Sequence, residues 1–188
     1  TGDLLNELKV REGVGVDISP VSIQHARSQY PHLQWVQADV EQLPDTPPLD
    51  RPFDIVIMAD LVSYLADIQL TLENLHRLTH PESRIIVATW NWIWQPVLKV
   101  GELFHLKSPD LDMRQNWVSD SIIRTMLKLA GYEPLQTLPG VLLPYNVKGL
   151  TPLINTLSYA PIMERVTLLR MVIARPAAPS VSCEPESV

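Results

Sequence analysis

Cysteine is nearly absent from this 188-residue chain: Cys183 stands alone in a polar tail. One thiol makes neither a disulfide framework nor a Cys-based zinc site. It permits a cytoplasmic setting, which is the expected localisation. Basic residues are also few. Fifteen Lys and Arg against 21 Asp and Glu leave a formal charge of −6. That is the wrong sign for a surface that wraps nucleic acid, and no nucleic-acid partner is expected. No apolar run approaches the roughly 18 residues of a transmembrane helix. No basic-then-apolar leader opens the chain, and no internal repeat divides it. None of the five histidines stands at metal-ligand spacing with another ligand, so no metal is expected. Ser63 lacks the Gly-x-Ser-x-Gly elbow of a hydrolase. The first residue is Thr1 rather than Met, and a fragment or processed chain is expected.

What the chain does have is apolar material. Hydrophobic residues make up 46% and charged residues 19%, enough to offset the ordering entropy of one domain. Leu4, Leu5 and Leu8 share a helical face. Gly13 to Asp17 reads as a strand, and Ser19-Pro20 as the cap and first turn of a helix that stops before Pro31. Strands follow at 33–39, 53–60 and 84–89. The last two are nearly continuous in apolar residues, as buried parallel strands are. Asp67 to Thr79 is an amphipathic helix carrying Ile68, Leu72, Leu75 and Leu78. Strand, helix, strand, helix, strand signals a parallel α/β sheet with right-handed crossovers.

Beyond Thr89 the pattern changes. Four of the five tryptophans lie at Trp90, Trp92, Trp94 and Trp117, around an expected helix at 96–104. Ser119 is expected to cap a helix over 120–130 that Gly131 ends. Strands are expected at 132–144 and 167–174, as an antiparallel pair at one side of the sheet. Residues 177–188 read as a disordered tail.

Ligands of open α/β sheets bind beyond the carboxyl ends of the strands. Asp17, Asp39 and Asp60 stand at three such ends, spaced by 22 and 21 residues, one strand-helix unit each. An acid there accepts hydroxyl hydrogens of a ribose or the exocyclic amine of an adenine. Thr1-Gly2 before a helix offers bare N–H groups to an anion. A lone Asp at a strand end is as often a cap as a ligand, but three in register point to a nucleotide-like ligand.

Thr1-Gly2-Asp3-Leu4-Leu5, Gly15-Val16-Asp17-Ile18-Ser19, Gln37-Ala38-Asp39 with Leu43-Pro44, and Phe53-Asp54-Ile55-Val56 occur in that order. The set resembles the class I S-adenosylmethionine-dependent methyltransferases, by motif from Thr1 to about Leu78 and by architecture to Arg175. The resemblance implies S-adenosylmethionine as cofactor. It also implies an α/β, Rossmann-like, doubly wound and mostly parallel sheet with an antiparallel last strand, over residues 1–176, with a cap insertion at about 90–118. Thr1 and Gly2 then match the loop at the methionine part and Asp17 the ribose acid. Ile18 matches the residue beside the adenine, Asp39 and Val40 the adenine-amine position, and Asp60 and Leu61 the segment facing sulfonium and substrate. The family's first strand and the earlier glycines of its loop have no counterpart in the residues given. The expected sheet therefore lacks its first strand and is broken between the second and fourth, and the chain alone is expected to bind cofactor poorly.

Tyr64, Trp90, Asn91, Trp92 and Trp94 are candidates for the substrate side, since aromatic faces suit a sulfonium. Alternation would put the three tryptophans on one side if their strand continued. His105 and Tyr64 are weak candidates for a catalytic role. The acceptor is expected to be a small or lipid-linked molecule. Residues 91–98 and 115–117 resemble a subset of the family found with lipid-directed glycosyltransferases, which makes such an enzyme a candidate partner. Two other readings remain. One is an NAD-dependent oxidoreductase, which would not ask for Asp39 or the Leu43-Pro44 turn. The other is a non-catalytic remnant that binds a partner through its cap or the apolar stretch 150–169.

Overall fold

A computed structural model describes residues 2–94, 118–140 and 167–178. Its elements are α1 (Asp3–Glu7), β1 (Val14–Asp17), α2 (Pro20–Gln29), β2 (Gln34–Gln37), β3 (Ile55–Ala59), α3 (Ile68–Asn74), β4 (Arg84–Trp90), α4 (Asp120–Leu129), β5 (Tyr132–Pro139) and β6 (Leu169–Pro176). The expected helix at 96–104, most of the cap at 90–118, the stretch 150–166 and the tail from 179 lie outside the described residues.

The strands form two ladders. β1 and β2 pair parallel, with Asp17 opposite Gln37. The other ladder has the order β3-β4-β6-β5, parallel between β3 and β4 and antiparallel on both sides of β6. The expected break is thus present: among the described residues, no ladder joins β1 to β3. Two polar ties show that the ladders run the same way. Ahead of the strands, Arg51 pairs with Glu12. Beyond them, Glu41, which follows β2, accepts from the amides of Ala66 and Asp67, which follow β3.

Local signals explain most boundaries. Ser19 caps α2 by accepting from Ser22 N–H, and Pro20 takes the first turn. Gly131 ends α4 in the left-handed region, at φ 80°. Ile68, Leu72, Leu75 and Leu78 all enter the core. They pack with Ile85, Val87, Ile123, Leu127 and Val172, so α3 and α4 close one face of the four-stranded ladder. The His76 ring stacks on Tyr132 at 4.2 Å, and its Nε2–H donates to the Ala130 carbonyl. His80 pairs with Asp54. Both serve the fold.

Three expectations are corrected. β3 is not a wholly buried strand: Ile55 is 54% exposed beside the break, where no strand among the described residues covers it. The alternation of Trp90, Trp92 and Trp94 fails, because β4 ends at Trp90 and Trp92–Trp94 is a 3-10 turn. Ser119 stands at the N-cap of α4 without bonding its amides, since its hydroxyl pairs with that of Ser121.

Candidate functional site

The carboxyl ends of β1, β2 and β3 gather the acids. Asp17 closes β1, and its Oδ1 accepts from Ser19 N–H at 2.8 Å. This Asx turn holds the carboxylate at the start of α2. Next to it, Ala38 N–H donates to the Asp17 carbonyl, so Asp39 begins one residue beyond that bond. Asp39 Oδ1 accepts from Glu41 N–H at 2.9 Å and caps the 3-10 turn Val40–Gln42. Asp17 and Asp39 are therefore on one lip, at the ends of neighbouring parallel strands. Ile18, between Asp17 and the α2 cap, is 66% exposed, an apolar surface beside two acids. Val40 is partly buried against the core.

Asp60 stands across the break. It adopts a left-handed backbone, φ 54°, rare for a residue with a side chain. Its amide donates to the Ala88 carbonyl, which fastens the end of β3 to β4. The Trp90 indole donates to its carboxyl. Oδ1 is buried and has no hydrogen-bond partner among the described residues. Burial raises the Asp60 pKa above the usual aspartate range, and the Trp90 bond only partly opposes this. Leu61 packs against the core, and Tyr64 ends the following 3-10 turn with its ring exposed.

Asn91 is 4% exposed. Its Nδ2 donates to the Thr167 carbonyl and its Oδ1 accepts from Ile93 N–H. The amide thus joins the end of β4 to the approach of β6. Trp94 closes the same turn through its amide, which donates to the Asn91 carbonyl. Thr1, His105 and the Trp92 side chain lie outside the described residues.

Gly2 and Asp17 share a small cleft of about 120 Å³, walled also by Gly15, Ser22, Ile23 and Trp35. That is below the roughly 300–1,000 Å³ of small-molecule pockets, so most of any nucleotide would lie along the open lip. Trp35 is a residue the motifs do not single out. Its ring lies over both glycines, where a Cβ on Gly2 or Gly15 would run into it, and its indole donates to the Tyr30 carbonyl at 3.0 Å. A glycine inside a strand marks such a close approach, and the register sets Gly15 opposite Trp35. Gly2 has φ 93° and lies under this ring, at the start of the five-residue α1. Among the described residues, no group of three or more His, Cys, Asp and Glu is placed to hold a metal ion.

Comparison with known proteins decides among the nucleotide folds. Residues 1–85 match the family model described as a methyltransferase domain. The match takes in Asp17, Asp39 and Asp60. A 2-phytyl-1,4-naphtoquinone methyltransferase of Nostoc punctiforme is 29% identical over 119 residues, 57% of this chain and 50% of the relative. That of a second Nostoc strain is 34% identical over 102 residues, 48% of this chain and 43% of the relative. The chain spans about half the length of these curated relatives. Among solved structures, the complex between the Trm112 methyltransferase activator and a methyltransferase from Haloferax volcanii superposes with TM-score 0.69 at 19% identity, over 94% of this chain and 79% of that one. Magnesium protoporphyrin IX methyltransferase from Synechocystis, with bound S-adenosylhomocysteine, gives TM-score 0.54 at 17% identity, over 87% and 64%. At such identities the likeness is one of fold. The family match ends with β4 begun, while the likeness of fold covers 94% of the chain.

The donor set fits the adenosine part of S-adenosylmethionine. Two carboxylates on one lip suit the ribose hydroxyls and the adenine amine, and Ile18 supplies an apolar face between them. Asp60, across the break, keeps a buried Oδ1 without a hydrogen-bond partner among the described residues.

Proposed function

We propose that the protein transfers a methyl group from S-adenosylmethionine to a small or lipid-tailed acceptor. The observation that carries this reading is the placing of Asp17 and Asp39 at adjacent strand ends, with Asp60 beyond the same end of the facing ladder. In this reading Asp17 holds the ribose, Asp39 and Val40 the adenine edge, and Ile18 one adenine face. Gly2 and Thr1 lie toward the methionine arm, and Asp60 and Leu61 face the sulfonium. When bound, the cofactor supplies an electrophilic methyl on a positively charged sulfur. The chain's own task is then to orient an acceptor atom in line with it and to exclude water. Asp60 suits that position twice over: a carboxylate near a sulfonium is electrostatically favourable, and its raised pKa lets it exchange a proton with an acceptor. Trp90 fixes Asp60, and Tyr64, exposed on the next turn, is available to an acceptor.

The acceptor class draws on the relatives. The two curated ones are named for a quinone with a phytyl tail and one solved structure for a porphyrin, which supports a flat ring system, with or without a lipid tail. A glycosyltransferase partner rests on residues 91–98 and 115–117, largely outside the described ones, and gains no support from these relatives. Among the described residues, no helix is long and apolar enough to cross a membrane. No observation favours the oxidoreductase reading.

The test is to incubate the full-length protein with methyl-labelled S-adenosylmethionine and a reduced naphthoquinone. Label should move to the quinol, and Asp60→Asn should slow it. Transfer to neither a quinol nor a porphyrin carboxylate would remove the proposed acceptor class.

A further inference from the structure

Glu41 lies outside the positions assigned above, yet its side chain crosses from one ladder to the other beyond the strand ends. It sits in the turn that Asp39 caps. Its Oε1 accepts from Asp67 N–H at 2.8 Å and its Oε2 from Ala66 N–H at 3.3 Å. Those amides lead from the Asp60–Tyr64 segment into α3. The first amides of a helix have no partner within it. Here two acids divide that duty, since Asp67 itself accepts from Leu70 N–H at 2.9 Å. A carboxylate gives each of two successive amides an oxygen of its own. Its neighbour Asp39 and the residue chain ending at Asp60 belong to different ladders, with no strand pairing between β1 and β3 among the described residues.

We propose that Glu41 is a positioning residue, which sets the separation between the Asp39 turn and the Asp60–Tyr64 segment so that a ligand extending from one to the other meets both. The proposal rests on the reading of the site as one for S-adenosylmethionine, and it adds a consequence that reading does not contain. A ligand confined to the Asp17–Asp39 lip needs no fixed distance across the break. A ligand that spans the break does.

Adenosine and S-adenosylhomocysteine differ in this respect. Calorimetric titration of the full-length protein with each, in wild type, Glu41→Ala and Glu41→Gln, gives the ratio of the two affinities. Glu41→Ala should weaken S-adenosylhomocysteine about tenfold and adenosine by less than about threefold, the scale of losing charge-assisted bonds that act on one ligand only. Glu41→Gln keeps one oxygen for Asp67 N–H and should fall between. It carries the comparison alone should Glu41→Ala fail to fold. An equal change for both ligands, or none for either, overturns the proposal, because a merely structural residue leaves the ratio unmoved. Wild type binding neither ligand would instead remove the cofactor reading beneath it.

Discussion

Replacing Asp17 by Asn isolates the charge at the ribose end. The Asn side chain retains a carbonyl oxygen that can accept from Ser19 N–H, the bond that now holds Asp17 Oδ1 at 2.8 Å. The Asx turn and the start of α2 should therefore survive, with an unchanged thermal midpoint. What changes is the ligand side. A carboxylate has about four acceptor sites and can take both ribose hydroxyls while still serving Ser19. An amide offers one oxygen, already engaged, and an NH2 that cannot accept. Hydrogen bonds to a charged group contribute about 1.5–3 kcal/mol and neutral ones about 0.5–1.5. Two hydroxyls thus lose about 1 kcal/mol each, or about thirtyfold in affinity together. Asp17→Ala should lose at least as much and also lower the thermal midpoint, because the turn bond goes with it. Calorimetry with S-adenosylhomocysteine on the full-length protein reads both. An Asn variant within about twofold of wild type would show that Asp17 does not touch the ribose.

Other substitutions test the frame around the site. Trp35→Ala empties the space over Gly2 and Gly15 and should cost about 2–4 kcal/mol in urea unfolding. Gly15→Ala drives a methyl into the same ring and should cost about 1–3 kcal/mol. In the Trp35→Ala background that second cost should largely vanish, and additive losses would mean the ring is not over Gly15. Arg77 donates to the Leu43, Pro44 and Leu49 carbonyls at 2.8–3.0 Å. Arg77→Ala should loosen the loop that follows Asp39, seen as faster amide exchange over 43–52, and lower stability by about 2 kcal/mol. Asp60 gives a pH signature. Its folded pKa is raised by burial, so its contribution to stability is full below the ordinary aspartate range and is lost as pH rises through the folded value. Asp60→Asn should remove that loss. Its stability relative to wild type should grow between about pH 4 and pH 7, and a constant difference across that range would contradict the burial argument.

Much of this was legible in the chain, and the illegible remainder has physical causes. The strands could be read because parallel strands are apolar on both faces and end in turn residues: Ile55–Ala59 and Arg84–Trp90 needed nothing else. The helix α3 could be read from Ile68, Leu72, Leu75 and Leu78. The acids at the strand ends could be read because one strand-helix unit repeats at a near-constant length. The break between β1 and β3 followed from the family's strand order. The roles of Glu41, Trp35 and Asn91 could not be read, because each depends on a partner distant in sequence. Ala66 and Asp67 are 25 and 26 residues from Glu41, and Thr167 is 76 from Asn91. The failed alternation after Trp90 has a local cause: Asn91 bonds to the amide of Ile93 and folds the chain into a turn. An Asn can cap a turn or sit in a loop, and the letters alone do not say which.

The central claim is that neighbouring strand ends hold an adenosine whose sulfur lies toward Asp60. It is met most directly by a crystal structure of the full-length protein soaked with S-adenosylhomocysteine. The ribose hydroxyls should lie on Asp17, the adenine edge at Asp39 with Ile18 against its face, and the sulfur on the Asp60 side of the break. Density for the ligand at any other part of the molecule, or an adenine turned away from Asp39, contradicts it.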